Sequence, residues 1–212
     1  LDILFATNNG RFLQEYRDAG VAKCVYMPNC IDPELDHPYE AGPRWQCDLL
    51  WTGTLEHSTG RIDPFRDEIV NTVSNLPGAK VYGCLGRPKV QGRDYLRAVS
   101  GAKIGVHINA ANDVSMYHSD RLTHYLACGT MVLCKYVPDS ERLFVDGEHL
   151  VYYNTKDELL AKIDQYLHDH SQREQIARRG MDRVHQECNS TQIAGCMLEV
   201  IDNGTCRAPW NP

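Results

Sequence analysis

The chain has 212 residues, 42% of them hydrophobic and 24% charged, with a formal net charge of −6. That length buries one good core, or one core with a small appendage. The negative balance excludes the non-specific attraction by which basic proteins hold nucleic acid or anionic lipid, and no apolar run approaches the roughly 18 residues a membrane span needs.

In chain order, Asp2 to Thr7 reads as a strand, Arg11 to Ala19 as a helix ended by Gly20, and Lys23 to Met27 as a second strand. A loop rich in Pro and acidic residues follows, from Pro28 to Pro43, the best linker candidate in the chain. The rhythm then restarts. Leu49 to Thr52 is a strand, Asp63 to Leu76 a helix, Lys80 to Tyr82 a strand, Arg93 to Val99 a short helix and Ile104 to Ile108 a strand. Arg121 to Cys128 is a helix, Met131 to Cys134 a strand and Leu150 to Tyr153 the last strand. The C-terminal third is helical, with capping boxes expected at Thr155/Glu158 and Ser171/Glu174 and a final helix over 191–201. Short apolar strands alternating with helices predict an α/β fold, a Rossmann-like doubly wound parallel sheet covered on both faces. The expected division is a strand–helix–strand remnant of another domain with its linker over 1–43, the Rossmann-like domain over 44–190, and a helix and tail over 191–212.

The nine cysteines show no C-x-x-C spacing, and several sit inside apolar runs, so they are expected to be reduced and structural, in the cytoplasm. The chain opens at Leu1 rather than Met, which suggests that something upstream was removed.

Three stretches carry chemistry. The turn from Trp51 to Arg61 follows a buried strand and opens a helix; Gly53 and Thr54 let backbone amides approach a phosphate, and Arg61 supplies a fork for two phosphate oxygens. The plain alternative is an ordinary loop with a surface Arg. In Ser119 to Gly129, Ser119 or Asp120 caps a helix that Gly129 ends, and Arg121, His124 and Cys128 share a face. An Arg in the first helical turn opposes the dipole, which points to an anion beside it. Otherwise Arg121 pairs with a carboxylate and His124 is a satisfied core histidine. Tyr82 to Pro88, with Gly86 and Arg87, makes a plausible wall for a base at a strand's carboxyl end but lacks G-x-G-x-x-G. Asn109 and His118, after the strand ending at Ile108, are candidates for sugar or phosphate contact and equally for loop caps. There is no D-x-D, so no metal ligands are expected, and His168-Asp169-His170 reads as a solvated helix end.

From Trp51 onward the order of features resembles the C-terminal, donor-binding domain of GT-B glycosyltransferases, in particular the CgeB-like, glycosyltransferase family 4-like group. The resemblance rests on the Gly53 to Arg61 loop, Gly92 to Tyr95, Ala102 to Asn109, Arg121 to Gly129, Val145 to Tyr153, Asp157 to Ile163 and Ile176 to Gly180. It covers residues 48–200. It implies that Gly53, Thr54, Arg61, Ser119 and Arg121 hold the diphosphate of a nucleoside-diphosphate sugar, UDP or GDP. His124, Asn109, His118, Gly86 and Arg87 would touch its sugar, ribose or base. Many relatives have Glu where this chain has His124, and the retaining E-x7-E type has another where this chain has Met116.

The expected function is therefore donor binding within a metal-independent glycosyltransferase without a cofactor, whose acceptor-binding N-terminal domain is missing from this chain. The alternatives are a non-catalytic sugar-nucleotide-binding or interaction module and another Rossmann-type nucleotide-dependent enzyme.

Overall fold

The computed structural model describes residues 2–55 and 63–210. The strand–helix–strand start forms as expected: β1 (Ile3–Ala6), α1 (Arg11–Asp18) and β2 (Lys23–Tyr26), the two strands pairing in parallel. After the connector come β3 (Cys47–Thr52), α2 (Pro64–Ser74), β4 (Ala79–Tyr82), α3 (Gly92–Ser100) and β5 (Ala102–His107). Next are α4 (Asp120–Ala127), β6 (Met131–Lys135), a 3-10 turn at Ser140–Arg142 and β7 (Val151–Tyr153). The helices α5 (Lys156–His168), α6 (His170–Glu187) and α7 (Ser190–Asn203) close the chain. Strands β3 to β7 form one sheet in the order β4-β3-β5-β6-β7, parallel throughout. This is the Rossmann-like α/β fold.

Strand alternation sorts the apolar side chains into two cores. Leu49, Trp51, Ile104, Val106, Leu133 and Tyr153 face α2 and α5, where Ile69, Val73, Leu159 and Ile163 meet them. Leu50, Val132, Cys134 and Tyr152 face the opposite way, into a cluster with Leu96, Val99, Leu122, Tyr125 and Val184 from α3, α4 and α6. Gly105 sets how close α4 comes, because a Cβ there would lie 2.4 Å from the Tyr125 ring.

The connector is stitched to the far end of the chain. The Ile31 amide donates to the Cys188 carbonyl at 2.9 Å, and the Ser190 amide donates to the Ile31 carbonyl at 2.8 Å. Ile193, Cys196 and Val200 of α7 join the cluster that holds Val25, Tyr26 and Met27 of the first segment.

Two expectations change. Asp169, not Ser171, caps α6, accepting from the Gln172 amide at 2.9 Å. The chain turns from α5 into α6 there, so the capping side chain must stand at the junction itself, one residue before the helix. The cysteines are not all free: Cys196 and Cys206 are bonded to each other, while the other seven are free. The reversal after α7 brings the tail back onto the helix. Thr155 does cap α5, accepting from the Glu158 amide, but Glu158 reaches back to the Asn154 amide. Among the described residues no helix is long and apolar enough to cross a membrane.

Candidate functional site

Strands β3 and β5 are neighbours, yet the chain continues from β3 to β4 on one side and from β5 to β6 on the other. Loops leaving their carboxyl ends diverge, and such a switch point is where doubly wound sheets hold ligands. A cleft of about 410 Å³ opens there. Its walls are Thr52 to Thr54 after β3, Tyr82, Gly83 and Lys89 to Gly92 after β4, Tyr95 of α3, and Asp120, Arg121 and His124 of α4.

Arg121 straddles the switch point. Its Nη1 donates to the Thr52 carbonyl at 2.7 Å and its Nη2 to the Ile108 carbonyl at 2.6 Å, so one guanidinium joins the ends of β3 and β5. It is only 8% exposed. Arg66 reaches the same loop from α2 and donates to the Thr54 carbonyl at 2.8 Å. Burial, and then the neighbouring Arg121 charge, push the Arg66 guanidinium down to about 10. Neither Arg forms an ion pair among the described residues; both spend their donors on backbone carbonyls. Uncompensated buried cations are costly unless something anionic meets them.

Two glycines let the loops close over these cations. Gly53 has φ +140, and a Cβ there would lie 2.8 Å from Arg121 Nη1. Gly83, at φ +86, would bring a Cβ to 2.7 Å from the Gly53 carbonyl. Beneath them Thr52 Oγ1 and the Tyr125 hydroxyl share a hydrogen bond of 2.9 Å. Lys89 and Arg121 line the cleft against one acid among the described lining residues, Asp120, whose Oδ1 accepts the Arg121 amide. With Arg66 behind Thr54, the local balance among the described residues is positive although the chain is acidic. The amino end of α4 adds its dipole on the same side.

On the other wall His124 meets Tyr95 edge-on, ring centroids 5.8 Å apart, and its Nε2 lies 4.0 Å from the Asp36 carboxylate of the connector. Burial holds the Tyr95 hydroxyl well above its usual range, so it is a neutral hydrogen-bonding group.

The structure thus brings Gly53, Thr54, Arg121 and His124 to one cleft. Arg61 lies outside the described residues. The other candidates stand elsewhere. Ser119 turns its hydroxyl to His107 Nε2 at 3.1 Å. Asn109 is buried as a loop clamp, its Nδ2 donating to the Tyr117 carbonyl and its Oδ1 accepting the Ser119 amide. His118 is buried between His107 and Phe144. Gly86 and Arg87 form an exposed turn, where Arg87 reaches the Ser74 carbonyl. Met116 is fully buried, its carbonyl accepting from the Tyr26 hydroxyl. Sequence reasoning missed Arg66, Lys89, Tyr95 and Asp36. For Arg66 the available signal was an arginine among apolar helix positions, next to Phe65 and one turn before Ile69 and Val70.

The profile of the family described as "Glycosyl transferase-like" matches residues 65–199. No curated protein sequence matches the chain. Among solved structures it is similar to sucrose-phosphate synthase from Thermosynechococcus elongatus, with 16% identity and a TM-score of 0.65 over 94% of this chain and 57% of that one. HepE from Anabaena, in complex with UDP and glucose, matches with 13% identity and a TM-score of 0.68 over 95% of this chain and 63% of that one. The C-terminal domain of the group 1 glycosyl transferase LpcC from Francisella tularensis matches over 76% of this chain and 99% of that domain, with 15% identity and a TM-score of 0.53. The chain therefore spans about three fifths of the first two proteins and resembles an isolated C-terminal domain nearly end to end.

Proposed function

The chain belongs to the glycosyl transferase-like family, and from that premise we propose that it is the donor-binding half of a two-domain glycosyltransferase, holding the diphosphate of a UDP-sugar in the cleft between β3, β4 and α4. The observation that carries this reading is the pair Arg66 and Arg121, two buried cations without ion-pair partners among the described residues, converging on the carbonyls of one loop at the switch point. UDP is favoured over GDP because HepE, of the same fold, is seen with UDP, UDP-glucose, and UDP with glucose.

In this reading the pyrophosphate lies on the Gly53–Thr54 loop and the amino end of α4. His124, Tyr95 and the Lys89 to Gly92 loop take the ribose and base. Arg61 joins from the following residues. Glycosyl transfer leaves charge on the departing diphosphate, and fixed cations and helix dipoles stabilise it as it develops. Those groups do the work that a bridging metal does elsewhere, so the reaction is proposed as metal-independent and without a cofactor. Residues 1–43 are proposed as the end of the acceptor-side domain and its linker, 44–190 as the nucleotide-sugar domain, and 191–212 as the helix that returns toward the acceptor side. The cytoplasm is the proposed location, on the ground that the cysteines show no C-x-x-C spacing and several sit inside apolar runs.

Thermal unfolding with UDP, GDP or NAD tests the reading. UDP at 100 times its dissociation constant adds about 2.7 kcal/mol of stability. Stabilisation by NAD and by neither nucleoside diphosphate overturns it.

A further inference from the structure

We propose that His107, His118 and Cys134 form a buried three-donor site for a soft transition-metal ion, Cu(I) in preference to Zn(II), beneath the donor cleft. His107 and Cys134 are direct register partners at the carboxyl ends of β5 and β6. His118 arrives from the loop that launches α4. One ring nitrogen of each histidine and the Cys134 sulfur all lie within 4.8 Å of one another, and all three residues are buried.

Three independent features fit an ion. First, neither ring nitrogen of His118 has a hydrogen-bond partner among the described residues, although the residue is only 5% exposed. A buried polar group left unpaired is costly, and a metal bond removes that cost. Second, His107 presents Nδ1 to Cys134 Sγ at 3.3 Å while its Nε2 meets Ser119 Oγ at 3.1 Å. Metal-bound imidazoles are held in this way, with the second nitrogen engaged by a neighbour that fixes the ring. Third, the donor set is soft, a thiolate with two imidazoles, which selects copper(I) or zinc over hard cations.

Charge decides between those two. Both imidazoles ligate in their neutral form. On binding, the Cys134 thiol gives up its proton to solvent and the thiolate takes the ion. Cu(I) then leaves the site neutral, whereas Zn(II) leaves one positive charge. The Arg121 guanidinium, bonded to the carbonyl of Ile108, the residue after His107, repels that excess. Three donors also satisfy trigonal Cu(I) more readily than tetrahedral Zn(II). An ion here would tie β5, β6 and the approach to α4 together, and so fix the stretch that carries Ser119 and Arg121.

The test loads the reduced chain with Cu(I) without oxygen, and separately with Zn(II), after alkylating accessible thiols on the folded protein. Each sample is then dialysed against a competing chelator. The wild type is expected to retain one copper per chain, with little zinc, and Cys134→Ser and His118→Gln none. X-ray absorption of the copper-loaded wild type, which depends on no variant, is expected to show one sulfur and two nitrogen neighbours. Equal copper retention by the wild type and Cys134→Ser, a shell of sulfur alone, or no retained metal in folded wild type overturns the proposal. Zinc retained in preference to copper overturns the charge argument. None of these readouts involves UDP, so failure here is separate from failure of the donor reading.

Discussion

Arg66 and Arg121 press against the same indole: their guanidinium carbons lie 5.6 and 5.1 Å from the centroid of the Trp51 ring. One comes from α2 and the other from α4, so the two layers that cover the sheet each send a cation to the end of β3. Cation–π contact offsets part of the cost of holding like charges together, and an anion in the cleft would offset more.

The pair makes anion binding a stability effect. Inorganic pyrophosphate is expected to raise the midpoint of thermal unfolding at low ionic strength. Salt should weaken the effect only partly, because buried charges are poorly screened. Arg121→Gln is expected to abolish the response and, by leaving the Thr52 and Ile108 carbonyls with weaker partners, to destabilise the chain by about 2–4 kcal/mol. Urea unfolding with and without pyrophosphate measures both, and an undiminished response in Arg121→Gln removes Arg121 from the anion site.

Gly53→Ala tests the closeness of loop and cation. The added methyl meets Arg121 Nη1 at 2.8 Å on a backbone with φ +140. The expected cost is about 1–3 kcal/mol of stability, together with a loss of UDP affinity of at least tenfold. Calorimetric titration reads the second quantity; unchanged UDP affinity means that the loop is not the phosphate cradle.

His124 separates the two ends of the donor. Truncation in His124→Ala removes one hydrogen-bonding group from the cleft wall, worth about 1 kcal/mol, or roughly fivefold in affinity. UDP is expected to weaken by that factor while pyrophosphate binds as before. Equal losses for both ligands would move His124 to the phosphate end.

A pH dependence comes from His149. Its Nδ1 accepts the Val145 amide at 3.0 Å, a bond that only the neutral ring can make. Burial and then the nearby Arg183 lower its pKa below the usual histidine value of 6.5. The folded state thus binds fewer protons than the unfolded chain below about pH 6.5. The stability from this group is present above that pH and is lost as pH falls through it. Urea midpoints between pH 7.5 and 5 are expected to fall for the wild type and to fall less steeply for His149→Gln; identical slopes contradict the assignment.

The sheet was legible because its strands are short apolar runs bounded by turns. Leu49 to Thr52, Ile104 to Ile108 and Met131 to Cys134 announce buried parallel strands, and Gly129, at φ +77, ends α4 as its position suggests. The cleft was legible where a site residue sits at a strand end or a helix start, as Gly53 and Arg121 do. Arg66 was hidden because, although it stands in the first turn of α2, it acts over distance, reaching back to a carbonyl 12 residues earlier. Asn109 and His118 stood open in the sequence between ligand contact and loop cap, and the structure places them outside the lining of the cleft. Polar residues after a strand look available, yet the loop folds inward and uses Asn109 on its own backbone.

The most direct measurement is a crystal structure of the chain soaked with UDP. The account predicts the pyrophosphate between the Gly53–Thr54 loop and the first turn of α4, with the ribose toward His124 and Tyr95. A UDP bound away from the β3–β5 switch point, or reversed so that uracil covers Arg121, would contradict it.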